Sequence, residues 1–357
     1  MSDPARRRPA DPAELLRQAS GGADGDRRSL ARLISIVERG GGAARDLSRL
    51  TYPRSGSSYS VGLTGAPGSG KSTLTGRLVA HALKQTGAPV AVLAIDPSSP
   101  LSGGAILGDR VRMQDHALDR NVFIRSMATR GHLGGLAAAV PDAFRILDAA
   151  GWPLVLVETV GVGQVEVEVA GTCDTVVVVL NPGWGDAVQA NKAGLLEVAD
   201  ILVINKADRP GVRETRRDLV HMLQLTGELD WMPPIVETVA STGDGVHDLW
   251  EAICSHRDHL EESGGLARRR AARMADEMER LTCDTFAHLV GCVLGRLGPK
   301  AAGVDASVPE VRDALEAGSS LIERLAAHEL DPPAAADALA ALVAQLAGGG
   351  TQSGASA

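Results

Sequence analysis

A glycine-rich segment near residue 70 matches the pattern G-x-x-x-x-G-K-[ST] at every fixed position. An apolar stretch, Ser60 to Thr64, precedes it, and leucines at helical spacing follow it. In such a loop the glycines let backbone N–H groups turn around an anion, the lysine approaches the outer phosphates and the hydroxyl is a ligand for Mg²⁺. The segment predicts a phosphate-binding loop formed by Gly65, Ala66, Pro67, Gly68, Ser69, Gly70, Lys71, Ser72 and Thr73.

A second motif, N-K-x-D, follows the apolar stretch Ile201 to Ile204. We expect the carboxylate of Asp208 to accept hydrogen bonds from N1–H and the 2-amino group of guanine, while Asn205 and Lys206 brace the loop and cover the ring. Adenine has neither donor, and a buried acid without donors costs about 1–3 kcal/mol, so the motif favours guanine nucleotides. Further along, Ala240 and Ser241 can offer backbone N–H groups to the guanine O6.

Acidic residues close two of the apolar stretches between these motifs. Asp96 ends one of them, where an acid can approach Mg²⁺ or a polarised water, although a turn-forming aspartate before proline is the alternative interpretation. Glu158 ends another, and the order of Glu158, Gly161 and Gln164 matches the second metal-side element of phosphate-loop enzymes. In that order the N–H of Gly161 can meet a γ-phosphate, and the amide of Gln164 is a weak candidate for orienting water.

The segment from Ser102 to Met113 has the composition of a mobile switch, with paired glycines and a few charges. Its charged residues are Asp109, Arg110 and Arg112. Either arginine can supply positive charge to the site when the segment becomes ordered.

Apolar runs alternate with helical segments along the chain and predict the elements that position these residues. Six or seven runs have the unbroken apolar character of parallel strands buried on both faces. The predicted strands are Ser60–Thr64, Pro89–Asp96, Val122–Ile124, Pro153–Glu158, Thr175–Leu180, Ile201–Asn205 and Ile235–Val239. We therefore predict an α/β fold, a doubly wound, mostly parallel sheet with the ligand at the carboxyl ends of its strands.

The composition of the chain indicates which classes of binding partner to expect. The chain has 357 residues, 44% of them apolar, and a net charge of −8, which speaks against a nucleic-acid surface. It has no run of about 18 apolar residues and no apolar signal core near Met1, so we expect a cytoplasmic protein without a membrane partner. Its four cysteines form no C-x-x-C pair, and His256 and His259 lack an acid or cysteine that would complete a metal site.

The expected organisation is one nucleotide-binding domain with helical extensions. We expect a mobile tail over residues 1–24, in which Leu15 and Leu16 can start a short helix, and a helical extension over 25–55 in which Asp26 caps a helix. The nucleotide-binding domain is expected over 56–260, a helical dimerisation region over 261–346 and a disordered tail over 347–357.

With these motifs in place, the chain resembles the G proteins associated with adenosylcobalamin-dependent methylmalonyl-CoA mutase, the MeaB/ArgK type, also described as arginine/ornithine transport kinases. The resemblance covers about residues 25–345. It rests on GAPGSGKST (65–73), AIDPSS (94–99), GDRVRM (108–113), ETVGVGQ (158–164), NPGWGDAVQANKAG (181–194) and NKAD (205–208).

The resemblance implies roles for particular residues. Asp96, Asp109 and Glu158 would surround Mg²⁺ and the γ-phosphate, with Ser72 as a direct ligand, and would form the catalytic set with Lys71. The loop from Gly183 to Lys192, including Gly185 and Asp186, would be an additional switch through which nucleotide state reaches the mutase. The resemblance also implies a homodimer.

The motifs predict a Mg²⁺-dependent GTPase with GTP or GDP as its nucleotide. The resemblance implies that this GTPase acts as a chaperone of an adenosylcobalamin-dependent acyl-CoA mutase. Two alternatives remain. The first is a kinase that transfers the γ-phosphate to a small acceptor. The second is a nickel-insertion GTPase, which would require a histidine-rich tail or paired cysteines, and neither occurs in the sequence.

Asp208→Asn is expected to shift base preference from guanine towards xanthine nucleotides, because an amide presents a donor where xanthine presents a carbonyl. Titration with GDP and xanthosine diphosphate measures the shift. Unchanged GDP affinity with no gain for the xanthine nucleotide would remove Asp208 from the base site.

Overall fold

The computed structural model describes most of the chain and shows a sheet flanked by helices. The described residues are 11–97, 119–129, 135–159, 171–183, 198–225, 230–294, 298, 309–326, 329 and 332–349. Seven parallel strands lie within them, in the order β3-β2-β4-β1-β5-β6-β7. Their bounds are β1 Tyr59–Gly65, β2 Val90–Pro97, β3 Val122–Thr129, β4 Leu154–Thr159, β5 Thr175–Leu180, β6 Ile201–Asn205 and β7 Ile235–Thr238. The predicted fold class is confirmed.

Ten α-helices lie in the same described ranges. They are α1 Pro12–Ala19, α2 Arg27–Arg39, α3 Gly42–Thr51, α4 Lys71–Thr86, α5 Gly135–Ala149, α6 Val212–Leu225, α7 Val246–Glu262, α8 Gly265–Val293, α9 Pro309–Ala326 and α10 Pro332–Gly349. Short 3-10 turns follow α1 and α3. Among the residues described, no helix is both long and apolar enough to cross a membrane.

Both faces of the sheet are buried, which explains the unbroken apolar runs. In β2, Ala91 and Leu93 pack in a core with α1, α2, α3 and α5, whereas Val90 and Val92 pack in a second core with α4 and α7. Successive side chains of a strand point to opposite faces. A strand between two helical layers therefore needs apolar residues on both of its faces, as the run from Val176 to Leu180 in β5 also shows.

The strand β3 extends five residues beyond the predicted Val122–Ile124. Its pairing with β2 continues without interruption from Val90 opposite Val122 to Pro97 opposite Thr129. The polar Arg125 ended the apolar pattern that the prediction used. In the structure its guanidinium donates to the Ser35 hydroxyl at 2.9 Å and pairs with Glu38, so α2 compensates the charge within the strand.

The described part of the amino-terminal region, from residue 11, contains a short helix at the leucines that indicated one. Within residues 1–24, where we expected a mobile tail, Pro12–Ala19 forms α1, and Asp11 caps it by accepting from Ala13 N–H at 3.1 Å. Leu15 and Leu16 are buried in the core that α2 and α3 complete. The few buried apolar residues of α1, Leu15, Leu16 and Ala19, lie on one helical face and attach the helix to this core.

The predicted cap of α2 is present. The Asp26 carboxylate accepts from the backbone N–H groups of Arg28 and Ser29 at 3.2 and 2.9 Å. These bonds satisfy two donors that the first helical turn leaves without a partner.

The chain divides into two compact units, Met1–Arg269 and Arg270–Ala357. The sheet belongs to the first unit. This unit ends at Arg269, nine residues after the end expected for the nucleotide-binding domain, residue 260. In the second unit α9 and α10 pack together, and Val311, Ala314 and Val343 share a small apolar core with Leu289 and Val293. The division falls inside α8, whose first residues therefore belong with the sheet.

A buried carboxylate lies at the edge of the sheet where the strands begin. Asp200, directly before β6, accepts from Val176 N–H at 2.8 Å and from two N–H groups of Arg269 at 2.9 and 2.7 Å. His256 of α7 lies 3.3 Å away. Burial acts to raise the pKa of the Asp200 carboxyl, but the hydrogen bonds from His256 and Arg269 outweigh it, so the pKa lies below its ordinary value.

Asp200→Asn is expected to lower the free energy of unfolding at neutral pH by roughly 1–3 kcal/mol, because bonds to a buried charge are weakened. A carboxyl with a lowered folded-state pKa contributes its full stabilisation above the unfolded value of about 3.9 and loses it as pH falls through the folded pKa. The difference between variant and wild type should therefore shrink in strong acid. Urea unfolding over a pH series measures it.

Glu237→Gln is the matched control, since Glu237 pairs with Arg216 at 3.2 Å on the surface. This substitution should lower the free energy of unfolding by less than about 1 kcal/mol. A cost for Asp200→Asn that matches this control, or that does not change with pH, would contradict the role given to Asp200.

Candidate functional site

The phosphate-binding loop predicted by the sequence connects β1 directly to α4. Gly65 ends β1 with φ of 132°, and a Cβ there would lie 2.1 Å from the Val179 carbonyl oxygen of β5. Gly70 precedes α4 with φ of 92°, and its Cβ would lie 2.4 Å from Nδ2 of Asn205. Both positions need glycine for backbone conformation and for space. The remaining predicted residues of the loop, Ala66 to Ser69 and Lys71 to Thr73, follow in the same turn and the first turn of α4.

The Lys71 side chain folds back over this loop. Lys71 is buried, and its Nζ donates to the carbonyl oxygens of Gly65 and Ala66 at 2.5 and 3.0 Å. An ammonium in a buried position is stabilised by an anion beside it. With the positive end of the α4 dipole adjoining it, the loop presents a site for phosphate.

Ser72 and Glu158 meet beside Lys71. The Ser72 hydroxyl donates to Oε1 of Glu158 at 2.5 Å, and Glu158 is fully buried on β4. The register that places Glu158 opposite Leu63 of β1 brings the carboxylate to the loop. A hydroxyl and a carboxylate at this distance are a pair of hard oxygen ligands of the type that Mg²⁺ prefers.

Asp96 lies on the same edge of the sheet. It is the seventh residue of β2, opposite Ala128 of β3, and two residues before it Ala94 pairs with Glu158. The other predicted residues of the metal and switch segments lie outside the described residues: Asp109, Arg110, Arg112, Gly161, Gln164, Gly185, Asp186 and Lys192. Within the described ranges, no three histidine, cysteine or acidic side chains are grouped as a metal site.

Asn205 connects the phosphate-binding loop to the ends of two strands. Its Nδ2 donates to the Ser69 carbonyl oxygen at 2.7 Å, and its Oδ1 accepts from the Thr238 hydroxyl and the Ala240 N–H, both at 3.1 Å. Asn205 is buried, so these bonds are made away from competing water.

Lys206 makes a second connection to the loop. Its Nζ donates to the Gly68 carbonyl oxygen at 2.5 Å, and its backbone has φ of 61°, the left-handed region. Asp208, two residues on, is exposed and available to a ligand. The N-K-x-D segment therefore lies against the phosphate loop.

An arginine that no motif indicated also contacts this region. Arg77 of α4 donates from Nε to the Ala240 carbonyl oxygen at 3.1 Å and from a terminal nitrogen to that of Ser241 at 2.6 Å. Its position four residues after Thr73 places both on one helical face, but this spacing does not indicate the carbonyl groups that Arg77 contacts.

The histidines considered as metal ligands have other partners. His256 lies 2.9 Å from the Thr175 hydroxyl, and its ring packs on Trp231 with centroids 4.9 Å apart. Trp231 also contacts His259, at 5.1 Å between ring centroids. The described contacts of His256 and His259 are those of a packed edge of the sheet, where the strands begin.

A phosphate-binding loop braced by N-K-x-D at the carboxyl edge of a parallel sheet defines a P-loop GTPase. A family model described as methylmalonyl-CoA mutase-associated GTPase MeaB matches residues 30–292, and the chain belongs to this family.

Curated relatives agree with this assignment. A Pyrococcus abyssi protein named as a GTPase is 48% identical over 330 residues, 91% of this chain and 95% of that protein. The Escherichia coli GTPase ArgK is 36% identical over 72% of this chain and 80% of its own length. The mouse protein named methylmalonic aciduria type A homolog, mitochondrial, is 34% identical over 69% of this chain and 64% of its own.

Among solved structures, one of an LAO/AO transport system kinase matches with a TM-score of 0.62 and 25% identity. The match covers 94% of this chain and 99% of that one.

Gly70→Ala is expected to lower the stability of the nucleotide-free protein more than Gly68→Ala does. Both glycines have positive φ, 92° and 71°, but a Cβ at Gly68 meets nothing within 4 Å, whereas one at Gly70 meets Asn205. Backbone strain of about 1 kcal/mol is common to both variants. The additional loss of stability in Gly70→Ala therefore measures the steric contact with Asn205. Thermal unfolding measures the loss of stability of each variant. Equal losses would show that the contact with Asn205 does not restrict the side chain at position 70.

Proposed function

We propose that this GTPase binds GTP with Mg²⁺, hydrolyses it to GDP and phosphate, and acts as a G-protein chaperone of an adenosylcobalamin-dependent acyl-CoA mutase. The observation that carries the proposal is the membership of residues 30–292 in the mutase-associated family. The connection of Asn205 and Lys206 to the phosphate loop supports the nucleotide part of it.

Hydrolysis in such a site depends on positioning and on charge. Water attacks the γ-phosphorus in line, and little covalent chemistry is required of the protein. In the proposal Lys71 and the loop N–H groups stabilise the charge that develops on the phosphate oxygens. Asp208 selects the base, and Gly161 contacts the γ-phosphate. Intrinsic turnover should be slow, and in the proposal Arg110 or Arg112 supplies further positive charge to the site.

The residues at the site fit a magnesium ion. Ser72 and Glu158 already form an oxygen pair at 2.5 Å, and the proposal adds Asp96 and Asp109 as further ligands or orienting carboxylates. When bound, the ion neutralises charge on the β- and γ-phosphate oxygens.

A mutase partner is supported by the name of the matching family and by that of the mouse relative. In the proposal the segment with Gly185, Asp186 and Lys192 reports nucleotide state to that partner. The helical region after residue 260 forms a homodimer, and the protein acts in the cytoplasm without nucleic-acid or membrane partners. Coupling of this kind requires a conformation whose free energy depends on the bound nucleotide.

Kinase activity is the rival function, because the matching solved structure is described as a transport system kinase. Incubation with GTP alone separates the two. We expect phosphate release without any acceptor, and strict dependence on an acceptor would favour the kinase.

Lys71→Ala is expected to abolish this phosphate release and to weaken GTP binding while the fold is kept, because the side chain serves the loop and its ligand rather than an apolar core. Lys84→Ala is the matched control: Lys84 is an exposed lysine near the end of the same helix, α4, and its removal should leave both measurements unchanged. Release and binding at wild-type levels in Lys71→Ala would overturn the assignment of the phosphate site.

The chaperone role is tested with tagged acyl-CoA mutases, methylmalonyl-CoA mutase and isobutyryl-CoA mutase among them. The chain should co-purify with one mutase, to different extents with GDP and with a non-hydrolysable GTP analogue. Capture that does not depend on the nucleotide, or no capture by any adenosylcobalamin-dependent mutase, would contradict it.

A further inference from the structure

Arg77 contacts the loop after β7 through two neighbouring carbonyl groups. Its Nε and a terminal nitrogen donate to Ala240 and Ser241 at 3.1 and 2.6 Å. The planar fork of a guanidinium donates in fixed directions, so two bonds restrict the orientation of the peptides that accept them. Arg77 thus links the helix that follows the phosphate loop to the loop that the base-binding proposal uses.

Most backbone N–H groups of this loop donate a hydrogen bond within the protein. Val239 N–H donates to the Asp244 carbonyl oxygen, and those of Thr242 and Gly243 donate to Val239. Ala240 N–H donates to Asn205 Oδ1, and Asp244 N–H to the Thr242 hydroxyl. In this fully described stretch, 239–244, Ser241 N–H is the donor for which the structure shows no acceptor.

The direction of that free donor depends on Arg77. In a trans peptide the C=O and the following N–H point in opposite directions. The bond from Arg77 to the Ala240 carbonyl therefore directs the Ser241 N–H away from Arg77. The bond from Ala240 N–H to Asn205 holds the preceding peptide against the N-K-x-D segment, so both peptides that flank Ala240 are held by side-chain hydrogen bonds.

We infer that Arg77 is a positioning residue for base recognition: by holding the Ala240 carbonyl it presents the Ser241 N–H to the O6 carbonyl of a guanine nucleotide. The inference rests on the proposed nucleotide site and adds a specificity-determining residue to it. Arg77 itself does not touch the base. Its effect is transmitted through one peptide plane.

The test compares nucleotides that differ at O6. Arg77→Ala should weaken binding of GDP and of inosine diphosphate, which both carry O6, by roughly 3- to 10-fold, about the effect of one hydrogen bond. Binding of 2-aminopurine riboside diphosphate, which lacks O6, should change by less than about twofold. Arg77→Lys should fall between, since an ammonium lacks the two-pronged geometry.

Arg217→Ala, at an exposed arginine of α6, is the matched control and should leave all three affinities unchanged. An equal loss for nucleotides with and without O6 would show that Arg77 only holds α4 to the loop and would overturn the inference. Failure of the wild-type chain to bind GDP would instead overturn the proposed function. Thermal unfolding of each variant verifies the fold, which should persist because Arg77 is exposed.

Discussion

The buried amide of Asn205 is the interaction on which the arrangement of the site depends. Through one side chain it connects the loop after β1, the end of β6 and the end of β7. Each of its bonds is made where water cannot replace it, so losing the side chain would leave several buried groups unsatisfied at once. The phosphate-binding loop and the N-K-x-D segment are therefore parts of one network, although about 135 residues separate them.

The edge of the sheet opposite this site is held by a different kind of interaction. There Asp200 gathers donors from β5 and α8, and Tyr59, Thr175 and His256 form a chain of hydrogen bonds beside it. A buried carboxylate with this many donors is stable only if all of them stay in place. Polar networks thus lie at both edges of the sheet, while the middle is apolar on both faces.

The strands and the phosphate loop were predictable because their causes are local in sequence. A strand buried on both faces needs an apolar run, and β5 and β6 begin and end at the predicted residues. What failed depended on partners distant in the chain. Arg125 ended the predicted strand β3 because its partners lie on α2. Leu15 and Leu16 indicated a short helix but not its burial, because the elements that cover α1 follow it in the chain. The contacts of Arg77 could not be predicted either, because the sequence around an exposed helical arginine does not indicate which carbonyl groups it will contact.

The backbone of Lys206 has a consequence for how this protein can change over evolution. A left-handed φ of 61° costs a lysine on the order of 1 kcal/mol relative to glycine. Glycine would relieve that cost but remove the Nζ that reaches the Gly68 carbonyl oxygen. Selection for a more stable apoprotein and selection for an organised loop therefore act in opposite directions at this residue, a stability–activity trade-off confined to one position. Consensus redesign for thermostability should leave it untouched.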